Sequence, residues 1–257
     1  MQYTRYRART FYANYFPPGV KWLIIVNCAI FVLRMFFPPN PSNIFHLDWL
    51  TEHFGLVPRA VRYNANIWQL FTYMFLHGGI WHIVFNMLTL WMFGLDLERD
   101  WGTRRFLRYY FLCGVGAGVC AVVAALFLAS GPDDVMLGLP TIGASGAIFG
   151  VLLAFGVVYA DRIILMMLLF PIKAKYAVMI FGVIELYYVW QPSRGVSNIA
   201  HLGGMLFGYI FLKVRFRRVD PVGYIQNRWK NYRIERARRK FQVYLKKRGS
   251  GDDRWVN

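Results

Sequence analysis

Acidic residues are scarce in this chain: 13 Asp and Glu stand against 30 Lys and Arg, and charged residues of both signs make up only 17% of the total. An ordinary soluble domain carries about 25% charge, so the usual water-facing surface is missing. Cysteine is nearly absent as well. Cys28, Cys113 and Cys120 lie inside apolar runs with no metal-ligand spacing, which excludes a disulfide framework and a zinc site and leaves them as small packing residues. No small-residue cleavage site follows the first apolar run, although Met1 to Gly19 carries Arg5, Arg7 and Arg9 and no acid, as a signal or transit peptide would. The first helix is therefore read as retained.

What fills the chain instead is apolar: 57% of residues are hydrophobic and 18% aromatic. That composition marks a polytopic membrane protein of all-α class. The net charge of +17 collects in the two ends and in short loops between apolar runs. Cytoplasmic segments of membrane proteins look this way, so membrane lipid is an expected partner and nucleic acid is not.

A helix needs roughly 20 residues to cross the hydrocarbon core, and six stretches approach that length. They run about from Val20 to Phe37, Ile80 to Leu97, Phe106 to Ala129, Ala144 to Ala160, Tyr176 to Trp190 and Asn198 to Val214, the last three shorter than a full span. The expected organisation is a cytoplasmic N-terminal segment over 1–19, a six-helix membrane domain over 20–214 and a basic cytoplasmic tail over 215–257. Pro38 to Leu76 mixes aromatic and polar residues after a Pro-Pro-Asn-Pro breaker and is expected to form short interfacial amphipathic helices. Trp49, Trp68, Trp81 and Trp190 suit interfacial anchoring. The apolar run from Ile163 to Phe170 is too short to cross and is read as a surface segment.

All but four of the 30 lysines and arginines fall on the side of the termini, the exceptions being Arg34, Arg59, Arg62 and Arg194. Both termini are therefore expected in the cytoplasm. The second, fourth and sixth helices then descend from the outer face. At 1.5 Å per residue, Ser145, His201 and His82 lie about 24, 18 and 21 Å above the first cytoplasmic charge on their own helices, a shared level in the outer half of the membrane.

The chemistry sits at that level. Thr141-Ile142-Gly143-Ala144-Ser145-Gly146 places a serine among small residues at a helix N-terminus, where unpaired N–H groups suit a nucleophile whose attack creates an oxyanion. Gly-x-Ser-Gly alone is a weak signal, because packed membrane helices use the same residues for close approach. On the sixth helix Gly204 and Gly208 share a stripe with His201, and Gly146-x-x-x-Gly150 lies on the fourth, so the two helices are expected to pair closely and bring His201 to Ser145. His82 and Asn86 are four apart on one helical face, and both can donate to a developing negative oxygen. Interhelical hydrogen bonding is their plainer role.

These residues resemble the rhomboid intramembrane serine proteases from about Phe54 to Val214. The resemblance rests on Gly143-x-Ser145-Gly146, on Ala200-His201-x-x-Gly204-x-x-x-Gly208, and on His82-x-x-x-Asn86 preceded by His77. Glu98 after the second helix and Pro171-Ile172-Lys173-Ala174-Lys175 add to it. It implies a six-transmembrane-helix rhomboid-like bundle with a Ser145/His201 dyad. It further implies an oxyanion site of His82, Asn86 and the backbone at Gly143 and Ser145, and Trp81 and Phe85 as substrate gate residues. Single-pass membrane proteins are the implied substrates, cleaved in or near their transmembrane segments, with no cofactor and no metal. The expected location is a bacterial plasma membrane, with an organelle membrane as the alternative. Two departures stand out: Trp68-Gln69 where many bacterial members have Trp-Arg, and Phe149 where some have tyrosine one turn after the nucleophile.

With no third carboxylate evident, orientation of the dyad falls to the packing of Phe149 and the glycines. Glu185, the acid within the fifth helix, is assigned a structural or water-contacting role. Two other classes stay open: a catalytically inactive rhomboid-like scaffold that binds membrane proteins, and a metal site or transporter using His77, His82 and His201. The latter is disfavoured because His77 and His82 would point about 140° apart on one continuous helix.

Overall fold

The computed structural model describes residues 16–38, 47–166, 169–189 and 195–216. The chain divides into two units, Met1–Ile210 and Phe211–Asn257. The basic tail expected over 215–257 lies, beyond residue 216, outside the described residues, as do Trp190, Arg194 and residues 1–15 of the N-terminal segment.

The first unit is mostly helical. Helix α1 spans Pro18–Arg34, its rigid Pro18 in the first turn, where a missing N–H costs nothing. Its next two amides are held by a buried acid far along the chain. Gly19 and Val20 N–H each donate at 2.7 Å to the carboxylate of Glu98, which also accepts from Thr103 Oγ1 at 2.6 Å. A negative group at the positive end of the helix dipole satisfies the free donors and ties the first helix to the chain at Glu98 and Thr103.

The segment expected to hold short interfacial helices forms short helices: α2 (Trp49–Phe54), α3 (Pro58–Tyr63) and α4 (Gln69–Thr72), the last followed by a 3-10 turn at Tyr73–Phe75. Asp48 caps α2 through Thr51 N–H and pairs with Arg34 of α1 at 2.7 Å. Burial pushes the Asp48 carboxyl up, but the Thr51 hydrogen bonds and the Arg34 guanidinium outweigh it and hold it below its ordinary value. Gln69, where the family resemblance pointed to arginine, is buried and hydrogen-bonded through both ends of its amide. Its Oε1 accepts from Val57 N–H at 3.0 Å and its Nε2 donates to the His53 carbonyl at 3.2 Å.

Helix α5 (Ile80–Thr89) continues through a π-helical turn at Leu90–Gly94 into α6 (Leu95–Trp101), a single rod of 22 residues. Gly102, at φ +80°, breaks it and starts α7 (Thr103–Leu128). Among the described residues these two rods are the helices long and apolar enough to cross a membrane by length and composition. Helix α7 lies at the centre of the packing and presents Gly114, Ala117, Gly118 and Ala121, all buried, to its neighbours. Small residues let backbones approach. Around them Tyr73, Phe106, Tyr109 and Tyr110 are almost wholly buried. The Tyr73 and Tyr109 hydroxyls donate to the carbonyls of Gly114 and Gly150 at 2.7 and 2.6 Å, so neither is left unpaired.

After the short α8 (Val135–Gly138) comes α9 (Ser145–Val158), an apolar helix of 14 residues. The stretch read as a surface segment adds a little strand to a mostly helical chain. Ile163–Met166 and Phe170–Lys173 pair as antiparallel strands β1 and β2 in a hairpin, with Ile163 opposite Lys173. A stretch too short to span satisfies its backbone by folding on itself, and its β-branched isoleucines favour strand. Helices α10 (Ala174–Val189) and α11 (Gly195–Phe216) complete the described chain. At 22 residues α11 corrects the reading of the sixth helix as short.

Candidate active site

Ser145 opens α9, and its position is set by the strand of chain just before it. Leu56 and Thr141 exchange both backbone hydrogen bonds, at 3.0 and 2.9 Å, and Gly143 N–H donates to the Tyr73 carbonyl at 2.9 Å. Leu56 and Tyr73 thus grip Thr141 and Gly143, just ahead of the helix. Gly143 adopts φ +124°, a region that side chains avoid. It is confined on its open side too, since a Cβ there would fall 2.7 Å from His82 Nε2. Glycine is required twice over, and the reason is the imidazole beside it.

His82 sits in the first turn of α5. Gly78 N–H donates to its Nδ1 at 3.3 Å. With Nδ1 accepting, the ring proton belongs on Nε2, which faces Gly143 and the start of α9. Asn86 is one turn further along the same helix and buried. His77 is not on that helix, which begins at Ile80. The expected divergence of His77 and His82 is therefore corrected: their rings meet edge to face with centroids 5.0 Å apart. The loop at Gly78 and Gly79 turns the chain between them. Burial, and then the neighbouring His82, push the His77 imidazole down to about 4, so it is neutral at pH 7. Among the described residues no cluster of His, Cys, Asp or Glu could hold a metal ion.

Helices α9 and α11 approach through their glycines. A Cβ on Gly204 would lie inside the carbonyl group of Gly146, 2.8 Å from its carbon, and one on Gly150 would lie 3.1 Å from the Gly204 oxygen. Gly208 makes room for the Tyr109 hydroxyl that binds Gly150. This approach carries His201 to Ser145: His201 Nε2 is 2.7 Å from Ser145 Oγ. Phe149, one turn after Ser145, stacks on the imidazole at 4.3 Å between centroids and 11° between planes. The ring contact needs no tyrosine hydroxyl. Neither group is sealed, since Ser145 is half-buried and the His201 side chain is 20% exposed. Trp81 and Phe85 are both exposed on α5, with ring centroids 6.0 Å apart.

One residue beside His201 escaped the sequence reading. Glu185, assigned only a structural or water-contacting role, places Oε2 3.0 Å from His201 Nδ1 and accepts from Asn198 Nδ2 at 2.5 Å. The distance to His201 is that of an ion pair, while the oxygen lies off the Nδ1–H direction, short of an aligned hydrogen bond. The available signal was its solitude, a single acid in an apolar helix, which in a membrane marks function by default.

The family model described as "Rhomboid domain" matches residues 64–218, more than half of the chain. RHOMBOID-like protein 1 of Arabidopsis thaliana is 29% identical over 233 residues, covering 77% of this chain and 54% of that protein. Rhomboid protease GluP of Bacillus subtilis is 32% identical over 156 residues, 61% of this chain and 27% of that protein. Rhomboid-like protease 3 of Toxoplasma gondii is 26% identical over 204 residues, 74% of this chain and 69% of that protein. The chain spans about half the length of the first Arabidopsis relative and less of the Bacillus one. With a domain match across residues 64–218, an apolar helical architecture and these relatives, the chain belongs to the rhomboid family and is an integral membrane protein.

Proposed function

We propose that this protein is an intramembrane serine endopeptidase working through Ser145 and His201. The observation that carries the reading is the 2.7 Å contact between Ser145 Oγ and His201 Nε2 at the N-terminus of α9, beside the donor face of His82. Ser145 Oγ attacks a peptide carbonyl carbon while its proton passes to His201 Nε2, and the carbonyl electron pair moves onto oxygen. His82 Nε2–H, Asn86 and the Ser145 N–H receive that charge, each donor being worth about 3 kcal/mol in such sites. When the tetrahedral intermediate collapses, the C–N bond breaks and the amine takes the proton from Nε2. Water repeats the sequence on the acyl-enzyme.

Six helices are the spans in this reading: α1, the rod Ile80–Trp101, α7, α9, α10 and α11. Large apolar residues exposed along them, among them Trp22, Val123, Phe127, Val183, Tyr187 and Leu206, suit a lipid-facing surface. The excess of Lys and Arg on one side favours cytoplasmic termini, and a bacterial plasma membrane is the proposed location. Relatives named as mitochondrial keep an organelle membrane as the alternative. Trp81 and Phe85, exposed on α5, are where a substrate helix would enter. Such a helix must unwind before its carbonyl can be attacked, so single-pass proteins with small or helix-breaking residues near the outer surface are the proposed substrates.

The test is labelling of the purified protein by a fluorophosphonate, with cleavage scored on a panel of single-pass membrane proteins. Both signals are expected in the wild type and lost in Ser145→Ala and His201→Ala. A well-folded wild type that neither labels nor cleaves would make the protein a scaffold that binds membrane partners.

A further inference from the structure

The residues around His201 form a chain of three polar side chains, and a two-residue mechanism uses only the first link. Ser145 meets Nε2 on one edge of the imidazole. On the other edge Nδ1 has Glu185 Oε2 at 3.0 Å, and that same oxygen is held by Asn198 Nδ2 at 2.5 Å. Glu185 and Asn198 are 9% and 8% exposed, and Asn198 lies three residues before His201 on the same face of α11. The acid comes from α10, so the contact joins two helices at the imidazole.

We propose that Glu185 is a positioning residue that turns the Ser145–His201 pair into a triad. This rests on the protease reading above. A carboxylate at Nδ1 fixes the proton on that nitrogen, which leaves the Nε2 lone pair free to take the Ser145 proton. Once Nε2 is protonated, both ring nitrogens carry hydrogen, and the negative charge of Glu185 stabilises the imidazolium through the first transition state. The Nδ1 proton stays where it is; only the Ser145 proton moves, to Nε2 and then to the leaving amine. Phe149 stacks on the face of the ring and so permits rotation within the ring plane, the motion that would bring Nδ1–H into line with Oε2. Catalytic hydrogen bonds of this kind are often poorly aligned before substrate binds. Asn198 holds the carboxylate oxygen in place for that rotation. The plainer account is that Glu185 and Asn198 only join α10 to α11.

The two accounts separate in Glu185→Gln. Its amide oxygen can take the position of Oε2 and accept from both Asn198 and His201, which preserves the interhelical contact while the charge is gone. In full-length protein in detergent, the rate and the final amplitude of fluorophosphonate labelling are measured, with kcat and KM for a cleaved transmembrane substrate. The expected result is labelling to wild-type amplitude at a rate about 10²-fold lower, with kcat reduced alike and KM unchanged, a smaller loss than the about 10⁴-fold of an aligned orienting acid because the carboxylate here lies off the Nδ1–H direction. Glu185→Asp, which keeps the charge on a shorter arm, should recover part of the rate. A Glu185→Gln protein labelled at the wild-type rate overturns the inference and leaves the protease reading intact. Reduced amplitude at the wild-type rate, or no recovery in Glu185→Asp, also overturns it and assigns the residue to helix joining. If the folded wild type itself does not label, the protease reading fails and the triad with it.

Discussion

Replacing Gly204 by alanine should perturb the candidate active site through the backbone without altering any polar side chain. A Cβ at this position would lie 2.8 Å from the Gly146 carbonyl carbon and 3.4 Å from its Cα. Carbon atoms in contact settle at about 3.5–4.0 Å, so α9 and α11 must part by about 1 Å. Backbone cannot rotate out of the way as a side chain can. Adding that displacement to the 2.7 Å contact moves Ser145 Oγ to about 3.7 Å from His201 Nε2, beyond the hydrogen-bond range of about 3 Å. Overpacking of this kind costs about 1–3 kcal/mol in stability, which leaves a folded protein. A misplacement of about 1 Å in reacting groups costs about 10²-fold in rate. The assay is the rate of fluorophosphonate labelling of folded protein, with thermal unfolding measured on the same samples. Gly182→Ala is the control, because the nearest atom to a Cβ there is Met205 Cε at 3.8 Å, ordinary contact. A Gly204→Ala protein that labels as fast as the wild type would refute the claim that the glycine contact sets the Ser145–His201 distance.

Other perturbations read different parts of the structure. His82→Ala removes the donor beside Gly143 and should lower kcat about 10²-fold with the Ser145–His201 contact intact; an unchanged kcat would take His82 out of the oxyanion site. Glu98→Ala frees the first amides of α1 and the Thr103 hydroxyl, and should cost about 3 kcal/mol in stability without slowing labelling of the protein that remains folded. A thermal midpoint equal to that of the wild type would contradict this. His77 has a folded-state pKa of about 4 against about 6.5 when unfolded, so the neutral ring is the native form. Its contribution is complete above pH 6.5 and lost as the pH falls towards 4, a difference of about 3 kcal/mol. Thermal midpoints measured between pH 7 and 4 should fall less steeply in His77→Phe, and parallel slopes would count against the buried neutral ring.

The sequence already contained the parts of this site that depend on spacing along one helix. Gly204 and Gly208 share a stripe with His201, and Gly146 and Gly150 share one on α9, so close approach of the two helices could be anticipated from the 3.6-residue period. The positive φ of Gly143 agrees with a glycine where the chain must turn into α9, although its second role, leaving space for His82, needed the neighbour to be known.

What spacing could not reveal were relations across elements that no period connects. The bridge between Leu56 and Thr141 and the bond from Gly143 to Tyr73 pin the start of α9, and with it Ser145, from a segment more than 60 residues earlier. His77 and His82 looked divergent on a continuous helix and are adjacent because the helix starts only at Ile80. Helical periodicity tells which residues share a face but not how that face is turned towards the next helix. For that reason Glu185, in α10, gave no sign in the sequence of reaching Nδ1 of His201, and only the rotation of α10 against α11 in the folded chain placed it there. The chain's chemistry was written in residue types and intervals; the choice of which acid faces which base was made by packing.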